Sequence, residues 1–209
     1  MRLRKVKNAE EILNNSQDIC IEKPVELKGR WSFVFPSDGP IYLEIGSGKG
    51  QFISLSASLN PNINYIGMEK MTSVIVRAIE KVKALNLLNC MLLCKDGQDV
   101  CDYFSEGEID RIYLNFSDPW PKNRHEKRRL TSMPFLKKFK TILKKDGLLI
   151  FKTDNYDFYL YSLLNLKEEL NEDMKYGEMK EKEEASSEFE DKFRKLEKPI
   201  YFISGSFRR

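Results

Sequence analysis

The chain has 209 residues and a mass of 24.5 kDa, which fits one α/β domain better than two. Hydrophobic residues make up 41% and aromatic residues 11%, so we expect a buried core and not a disordered chain. Eleven glycines, eight prolines and four cysteines exclude collagen-like, low-complexity and disulfide-scaffold classes. The formal net charge is only +3, but the charges are distributed unevenly.

Residues 168–191 hold eleven acids against three lysines, so the rest of the chain carries a basic excess. The basic residues cluster at the start of the chain, in 122–129 and in 137–145, which suits binding to a polyanion. The 122–129 cluster predicts an exposed binding loop, whereas the lysines of 137–145 fit a solvated helix face equally well. We expect the acidic run 168–184 to be a solvated helix and loop that repels RNA from this side.

The start of the chain lacks the apolar stretch of a signal peptide, and no uncharged run is apolar enough to cross a bilayer. We therefore expect a cytoplasmic protein that makes no membrane contact. The four cysteines are expected to be reduced thiols, because no Cys/His set has the spacing of a metal site.

Strand-like apolar runs alternate with stretches of helical spacing, which predicts repeated βα units and a mostly parallel sheet. The whole chain, 1–209, is expected to be a single domain in which 1–40 form an N-terminal arm with a short helix. The alternating Trp31, Phe33 and Phe35 predict an edge strand or an arm packed on the core, with a base-stacking platform as the alternative. The predicted strands are Ile41–Ile45, Asn64–Met68, Cys90–Cys94, Ile109–Phe116 and Leu148–Lys152, with a late edge hairpin from Pro199–Phe207. The predicted helices are Gln51–Leu59, Ser73–Leu85, Met133–Leu143, which Asp146-Gly147 would close, and Phe158–Leu170.

Each predicted parallel strand is followed or closed by an acid. The carboxyl ends of parallel strands meet at one edge of a sheet, where open α/β sheets bind their ligands. Five acids at equivalent positions therefore predict one polar site. These acids are Glu44, Glu69, Asp96, Asp118 and Asp154.

The loop Gly46-Ser47-Gly48-Lys49-Gly50 after the first strand narrows the choice of cofactor. Its spacing is not the Gly-x-Gly-x-x-Gly of dinucleotide-binding folds, which disfavours a dehydrogenase, and it lacks the Gly-Lys-Ser/Thr of a P-loop. An acid directly upstream, Glu44, would repel a pyrophosphate but suits an ammonium or a sulfonium ion. These features favour S-adenosylmethionine, with Glu69 on the ribose hydroxyls and Asp96 beside the adenine.

The stretch from Asn115 to His125, with the sequence NFSDPWPKNRH, closely resembles the bacterial tRNA (guanine-N7-)-methyltransferases, the TrmB family. Four further segments match the same family in order, so the resemblance spans nearly the whole chain from about residue 40. These segments are Glu44–Gly50, Gly67–Glu69, Phe151–Asn155 and Ser187–Phe193.

The resemblance implies a Rossmann-like class I methyltransferase with a mostly parallel seven-stranded sheet and helices on both faces. It implies transfer of methyl from S-adenosylmethionine to N7 of the guanosine at position 46, in the variable loop of tRNA, by a monomer or a homodimer. Asp118 is then the catalytic residue, and Glu44, Gly46, Gly48, Glu69, Asp96 and Asp118 line the cofactor site. The implied substrate-binding residues are Lys122, Asp154, Ser187, Glu188, Phe189 and Glu190. The implied RNA-contacting residues are Arg124, His125, Glu126, Lys127, Arg128 and Arg129.

Two departures from the family pattern stand out. Ser187 replaces the usual threonine and keeps its hydroxyl, whereas Glu197 stands where glycine is common and affects a local turn. Two other readings stay open at this point. One is a non-catalytic RNA-binding protein on a relic methyltransferase fold. The other is an amino-methyltransferase that acts on adenine or glutamine, although that class uses Asn/Asp-Pro-Pro-Tyr/Phe where this chain has Asp118-Pro119-Trp120-Pro121.

Overall fold

A computed structural model describes residue 6 and residues 8–209, so the basic group Arg2, Arg4, Lys5 and Lys7 lies outside the described residues. Seven strands form one sheet in the order β3-β2-β1-β4-β5-β7-β6. Strands β1 to β5 run parallel, and β7 is antiparallel to both β5 and β6. The strands are β1 (Ile41–Ile45), β2 (Asn64–Met68), β3 (Cys90–Leu93), β4 (Ile109–Asn115), β5 (Leu143–Thr153), β6 (Lys175–Glu178) and β7 (Tyr201–Ser206).

Helices cover both faces of the sheet, because the buried central strands are apolar on both sides. Side chains of Tyr65 and Leu92 pack with α2 and α3 on one face, whereas Ile66 and Leu93 belong to the cluster with α4, α5 and α6. This arrangement confirms the predicted Rossmann-like fold. The helices are α1 (Ala9–Asn14), α2 (Gln51–Leu59), α3 (Thr72–Ala84), α4 (Val100–Tyr103), α5 (Met133–Ile142), α6 (Tyr156–Glu169) and α7 (Glu188–Lys195).

The C-terminal part of the sheet differs from the prediction. Residues 201–206 form no edge hairpin but an inner strand, and the edge is β6, which lies within the run predicted as helix and loop. The pattern of β6, KYGE, has no apolar alternation because this short strand is mostly exposed. Strand β5 begins at Leu143, with an irregularity in its pairing to β4 before Leu148, so Asp146-Gly147 lies inside the strand and does not close α5.

The aromatic residues of the N-terminal arm form neither a strand nor a stacking platform. Residues Trp31–Val34 form a short 3-10 helix, which directs alternate side chains differently from a strand. Trp31 is fully buried and its indole Nε1 donates a hydrogen bond to the Tyr103 carbonyl oxygen at 2.8 Å. Phe35 is also buried, but Phe33 is 82% exposed. The expected packing of the arm on the core is therefore correct, and the expected strand is wrong.

Candidate active site at the carboxyl ends of the parallel strands

The chain reverses its direction across the sheet between β1 and β4. It proceeds outward from β1 to β2 and β3, and then returns to place β4 and β5 on the other side of β1. Such a switch point opens a crevice at the carboxyl ends of the two central strands. Glu44 lies at the end of β1, and Asp118 follows the end of β4. The predicted acids therefore line one edge, as expected.

Glu44 is the buried carboxyl group of this crevice, with an exposed fraction of 2%. Its Oε1 accepts a hydrogen bond from Asn115 Nδ2 at 2.9 Å, whereas its Oε2 has no partner within the protein. Burial raises the pKa of Glu44 to about 8, although the Asn115 hydrogen bond and the charge of Lys152 act in the opposite direction. The group is therefore poised to receive a hydrogen-bond donor that carries positive charge.

Buried polar atoms without a partner are concentrated at this one point. In the described part of the chain, the buried side-chain atoms without a hydrogen bond are Glu44 Oε2, Ser47 Oγ, Asn115 Oδ1 and Ser117 Oγ. All four belong to the ends of β1 and β4 or to the loops that follow them. Since buried polar groups are almost always paired in folded proteins, this cluster indicates a polar ligand that completes the hydrogen bonds.

The glycine loop leaves room for that ligand. Gly46 and Gly48 have φ angles of +81° and +57°, and a Cβ atom at either position would meet no atom within 4 Å. Gly50 differs, because its Cβ would lie 2.5 Å from Ala78 Cβ, where α2 packs on α3. The first two glycines thus keep an open cradle beside Glu44, whereas the third permits helix packing.

Glu69 and Asp96 extend the crevice along the ends of β2 and β3. Glu69 Oε1 accepts a hydrogen bond from the Met71 backbone N–H at 2.9 Å, and Asp96 Oδ1 accepts one from the Gln98 N–H at 3.0 Å. Both side chains are half-buried. A backbone donor therefore fixes each carboxylate at its strand end.

Asp118 is exposed and sits in a loop with unusual backbone geometry. The φ angles of Phe116 and Trp120, two residues to either side, are +52° and +42°. Non-glycine residues rarely adopt this conformation, and such strain concentrates at functional sites. The Phe116 N–H donates to the Lys152 carbonyl oxygen at 2.8 Å, which ties the loop to the end of β5.

The basic cluster 122–129 contains two kinds of residue. Arg129 donates to the carbonyl oxygens of Pro119 and Trp120 at 3.0 to 3.3 Å and covers the Tyr161 ring at 4.2 Å. Arg129 therefore holds the backbone of the Asp118 loop in position. The remaining basic side chains of the cluster are exposed: Lys122, Arg124, Lys127 and Arg128.

Two smaller contacts organise this basic cluster. His125 is half-buried and packs edge-to-face on Trp120, with 5.6 Å between ring centroids. Glu126 Oε1 accepts a hydrogen bond from the Tyr161 hydroxyl at 3.1 Å. These contacts hold the 3-10 helix Asn123–Arg128 against the Asp118 loop and α6, so its exposed cations have a defined position.

The acidic segment before and within α7 closes the crevice on the side of the glycine loop. Ser187 caps α7, since its Oγ accepts from the Glu190 N–H at 3.1 Å. Glu188 bridges Lys49 of the glycine loop at 2.9 Å and Lys81 of α3 at 3.1 Å. Partial burial opposes the charge of Glu188, but the hydrogen bonds from these two lysines keep its pKa below the usual value. Phe189 remains 52% exposed and stacks on Phe116.

Lys152 is the residue at this site that sequence reasoning missed. Its side chain is 2% exposed, and its Nζ lies 2.6 Å from Glu183 Oε2 and 3.7 Å from Glu190 Oε2. Glu190 is itself 1% exposed, and its Oε1 accepts a hydrogen bond from Arg194 Nε at 3.0 Å. A lysine at the end of an otherwise apolar strand was the available signal, because a buried ammonium ion requires partners. Asp154, two residues further on, is half-buried at the same edge.

Two general properties bear on the chemistry. Within the described ranges, no group of three or more His, Cys, Asp or Glu side chains is arranged to hold a metal ion. Across the same residues, no helix combines the length and the apolar composition that a bilayer crossing requires.

Solved structures with the same architecture are methyltransferases. The chain superposes on the 16S rRNA methyltransferase KamB with a TM-score of 0.64 at 12% identity, covering 87% of this chain and 92% of that one. A Streptococcus mutans protein described as "a putative methyltransferase", in complex with SAH, gives a TM-score of 0.55 at 17% identity, covering 90% of this chain and 99% of that one. Together with the glycine loop and the acids at the strand ends, this likeness defines a class I, Rossmann-like methyltransferase fold.

Sequence comparison then assigns the family. A family model described as "Putative methyltransferase" matches residues 38–203. The tRNA (guanine-N(7)-)-methyltransferases of Bacillus velezensis and Bacillus subtilis are 47% and 45% identical to this chain, covering 96% of it and 94% and 96% of themselves. That of Streptococcus sanguinis is 44% identical over 99% of this chain and all of its own. The chain belongs to the tRNA (guanine-N7-)-methyltransferase family.

Proposed function

We propose that this protein transfers a methyl group from S-adenosylmethionine to N7 of a guanosine in tRNA, namely the guanosine at position 46 of the variable loop. The observation that carries the proposal is the cluster of unpaired buried polar atoms where β1 and β4 end. These atoms belong to the ends of β1 and β4, to the glycine loop and to the Asp118 loop, which together would receive the methyl donor and its acceptor. Family membership supplies the substrate class.

The residues of the crevice fit S-adenosylmethionine group by group. Glu44 offers an unpaired carboxyl oxygen to an ammonium group, and Gly46 and Gly48 leave space for the amino-acid moiety. Glu69 accepts from the ribose hydroxyls, and Asp96 accepts from the adenine amino group. A pyrophosphate would meet carboxylates along this whole edge, so a phosphate-free cofactor is favoured.

The reaction requires little acid–base chemistry from the protein. Guanine N7 carries an in-plane lone pair and no proton, so no residue has to act as a base. The bound cofactor supplies an electrophilic methyl group on a sulfonium ion. N7 would take this methyl group as the carbon–sulfur bond is broken, which would leave a neutral thioether and a cationic guanine. The protein's task is to align N7, carbon and sulfur and to stabilise the charge that moves to the base.

Asp118 suits this task as an orienting and electrostatic residue. Its side chain is exposed, and the Arg129 hydrogen bonds fix the loop that carries it, in which Phe116 and Trp120 have positive φ angles. A carboxylate in this position stabilises a cationic guanine, or holds the base edge through N1 and the amino group. Asp118 therefore contributes charge and direction, not proton abstraction.

The tRNA would approach over the exposed cations of 122–129. N7 faces the deep major groove of A-form RNA, so the substrate guanosine has to be presented in a loop or by bending. Lys122, Arg124, Lys127 and Arg128 offer phosphate contacts near Asp118. The exposed ring of Phe189, which stacks on Phe116, offers a surface on which a base can stack. Glu190 is already held by Lys152 and Arg194, so we assign it the role of fixing α7 beneath the substrate.

The test is transfer of labelled methyl groups from S-adenosylmethionine to unmodified tRNA. We expect incorporation into wild-type tRNA, chain cleavage by aniline at position 46, and no incorporation when adenosine replaces guanosine there. Label that resists aniline cleavage would indicate an exocyclic amino group as acceptor. Cofactor binding without any incorporation would favour a non-catalytic RNA-binding protein.

A tRNA substrate also bears on compartment and assembly. The proposed compartment is the cytoplasm, and the proposed assembly is a monomer or a homodimer, which light scattering from the purified protein would distinguish.

A further inference from the structure

The start of α7 contacts both of the loops that flank the crevice. Glu188 Oε2, in the first turn of this helix, lies 2.9 Å from Nζ of Lys49 in the glycine loop. The ring of Phe189, the next residue, stacks on that of Phe116 at the start of the Asp118 loop, with 6.4 Å between centroids. Helix α7 therefore joins the cofactor side of the crevice to the side of the methyl acceptor.

Gln51 fixes the start of α7 with both hydrogens of its side-chain amide. It is the first residue of α2 and directly follows the glycine loop. Its Nε2 donates to the Ser186 carbonyl oxygen at 3.1 Å and to Asp191 Oδ2 at 2.7 Å, so the two bonds reach residues on either side of Ser187, the cap of α7. Because an amide nitrogen carries two hydrogens, both are used on α7 and neither is left for a ligand.

The groups that Gln51 contacts are themselves bonded to one another. Asp191 Oδ1 accepts a hydrogen bond from Ser186 Oγ at 2.8 Å, and Ser186 is buried. Ser187 Oγ accepts from the Glu190 N–H at 3.1 Å, and the Ser187 carbonyl oxygen accepts from the Asp191 N–H at 3.0 Å. One amide side chain can thus set the position of the whole first turn of α7.

The glycine loop lacks hydrogen-bond partners that a ligand can provide. In the described part of the chain, Ser47 Oγ and, just before the loop, Glu44 Oε2 are buried and without a partner. A ligand that bonds to these atoms restricts the motion of the loop. Lys49 lies within the loop and Gln51 directly follows it, so the same ligand also restricts the first turn of α7.

We propose that Gln51, assisted by Lys49, is a positioning residue that makes tRNA binding depend on the bound cofactor. A cofactor that fixes the glycine loop also fixes the first turn of α7, so the tRNA binds to a surface that is already ordered. The tRNA then binds more tightly, and by reciprocity the cofactor does so too. This inference rests on the proposed function, because it requires both ligands at one crevice.

Filter binding of unmodified tRNA, with and without saturating S-adenosylhomocysteine, measures this dependence. For the wild type we expect Kd for tRNA to fall about fivefold when the ligand is present. For Gln51→Glu, whose carboxylate keeps the length of the side chain but donates no hydrogen bond, we expect the two Kd values to agree within about 1.5-fold. The ratio of the two values cancels the general effect of the added negative charge on RNA binding.

The matched control for this substitution is Gln17→Glu. Gln17 Nε2 donates to Glu22 Oε2 at 3.2 Å in an exposed pair that does not involve α7. The control therefore makes the same change in charge and removes the same kind of hydrogen bond, and we expect it to keep the fivefold ratio. Lys49→Met leaves Glu188 paired with Lys81, so its ratio should fall only to about threefold.

The double variant Gln51→Glu/Asp191→Asn distinguishes positioning from a general loss of stability. It exchanges the donor and the acceptor between the two positions and restores the net charge, so one hydrogen bond can form in the reverse direction. We expect the ratio to return to about threefold. Lower stability alone would not be reversed in this way, since each single substitution removes a hydrogen bond.

Calorimetry with S-adenosylhomocysteine in the absence of tRNA completes the test. We expect Gln51→Glu to bind this ligand within about twofold of the wild type, because the Gln51 amide is bonded to α7. Equal tRNA affinities of the wild type with and without ligand, or a fivefold ratio retained by Gln51→Glu, would overturn the proposal. A wild type that binds no S-adenosylhomocysteine or no tRNA would instead count against the proposed function.

Discussion

The two charged segments that flank the crevice use their charges in opposite ways. In the basic cluster 122–129, Lys122, Arg124, Lys127 and Arg128 are exposed, and none of the ion pairs among the described residues involves the cluster. In the acidic segment 181–191, the principal acids are matched by cations of the core or of neighbouring elements. Glu183 and Glu190 pair with Lys152, Glu188 with Lys49 and Lys81, and Asp191 with Lys182.

The basic cluster 122–129 therefore has the properties of a binding surface. The acidic segment 181–191 and its ion pairs form a structural clamp. Charges that stay in water are available to phosphates, and their contribution falls as salt is added. Charges that are paired and partly buried fix backbone positions instead, here the position of α7 over the glycine loop. The expected repulsion of RNA by the run 168–184 remains a prediction, to be tested by bulk RNA binding after those acids are neutralised. Since Glu169 and Glu183 are already paired, the effect should come from the unpaired acids.

The strongest test of the clamp is Lys152→Met. The change leaves Glu190 buried with only Arg194 as partner, so the free energy of unfolding is expected to fall by about 3 kcal/mol. The matched control is Lys140→Met, which breaks the more exposed pair with Glu169 and should cost less than about 1 kcal/mol. Urea denaturation at pH 7 measures both. Equal losses from the two variants would show that the buried pair has no special role.

Asp118→Ala tests the methyl-transfer step at the crevice that the basic cluster and the acidic segment flank. Removing the carboxylate takes away the group that stabilises the cationic guanine, and we expect kcat to fall by about 100-fold. The control is Glu184→Ala, an exposed acid of the clamp segment, which should leave kcat within about twofold. Single-turnover methyl transfer measures the effect. A kcat for Asp118→Ala close to that of the wild type would remove Asp118 from the mechanism.

Variants of neighbouring residues in the basic cluster 122–129 should distinguish RNA binding from the geometry of the Asp118 loop. The double variant Arg124→Ala/Lys127→Ala is expected to raise KM for tRNA by roughly tenfold and to lower the salt dependence of binding by about 1.5 to 2 in the log–log slope. Arg129→Ala should lower kcat instead and leave that slope unchanged, because Arg129 is bonded to Pro119 and Trp120. Filter binding over a range of salt concentrations distinguishes them. An altered slope for Arg129→Ala would place it on the RNA surface.

The parallel half of the site was predictable because local patterns determine it. Buried strands such as Ile41–Ile45 and Asn64–Met68 are short apolar runs, and the acids that follow parallel strands must share an edge. The bounds of β1 to β4 agree with the prediction to within a residue, whereas β5 begins at Leu143 and not at Leu148. In this region each strand, the turn after it and the next helix can be recognised from its own sequence pattern.

The clamp could not be predicted in the same way, because its contacts join residues that are far apart in sequence. Lys49 and Glu188 are 139 positions apart, and Lys152 and Glu183 are separated by 31. A run of acids is interpreted as solvated when the cations that pair with it are unknown. Strand β6 also lacks the apolar alternation of a typical strand. The orphaned atoms of Glu44 and Asn115 are likewise a property of tertiary packing and leave no mark in the sequence.

The smallest expected effect is the pH dependence of the stability that Asp191 contributes to the clamp. The Lys182 hydrogen bond, with help from Ser186 and Gln51, lowers the pKa of Asp191 from its usual 3.8 to about 2. An acid with a lowered pKa stabilises the fold fully above its unfolded-state pKa and loses that contribution as pH falls toward the folded-state value. We expect Asp191→Asn to be less stable than the wild type by about 1 kcal/mol at pH 6, a figure that allows for solvent screening of a partly exposed pair. The difference should shrink between pH 4 and 2 in urea denaturation, and a constant difference over that range would mean that the charge of Asp191 does not hold the segment.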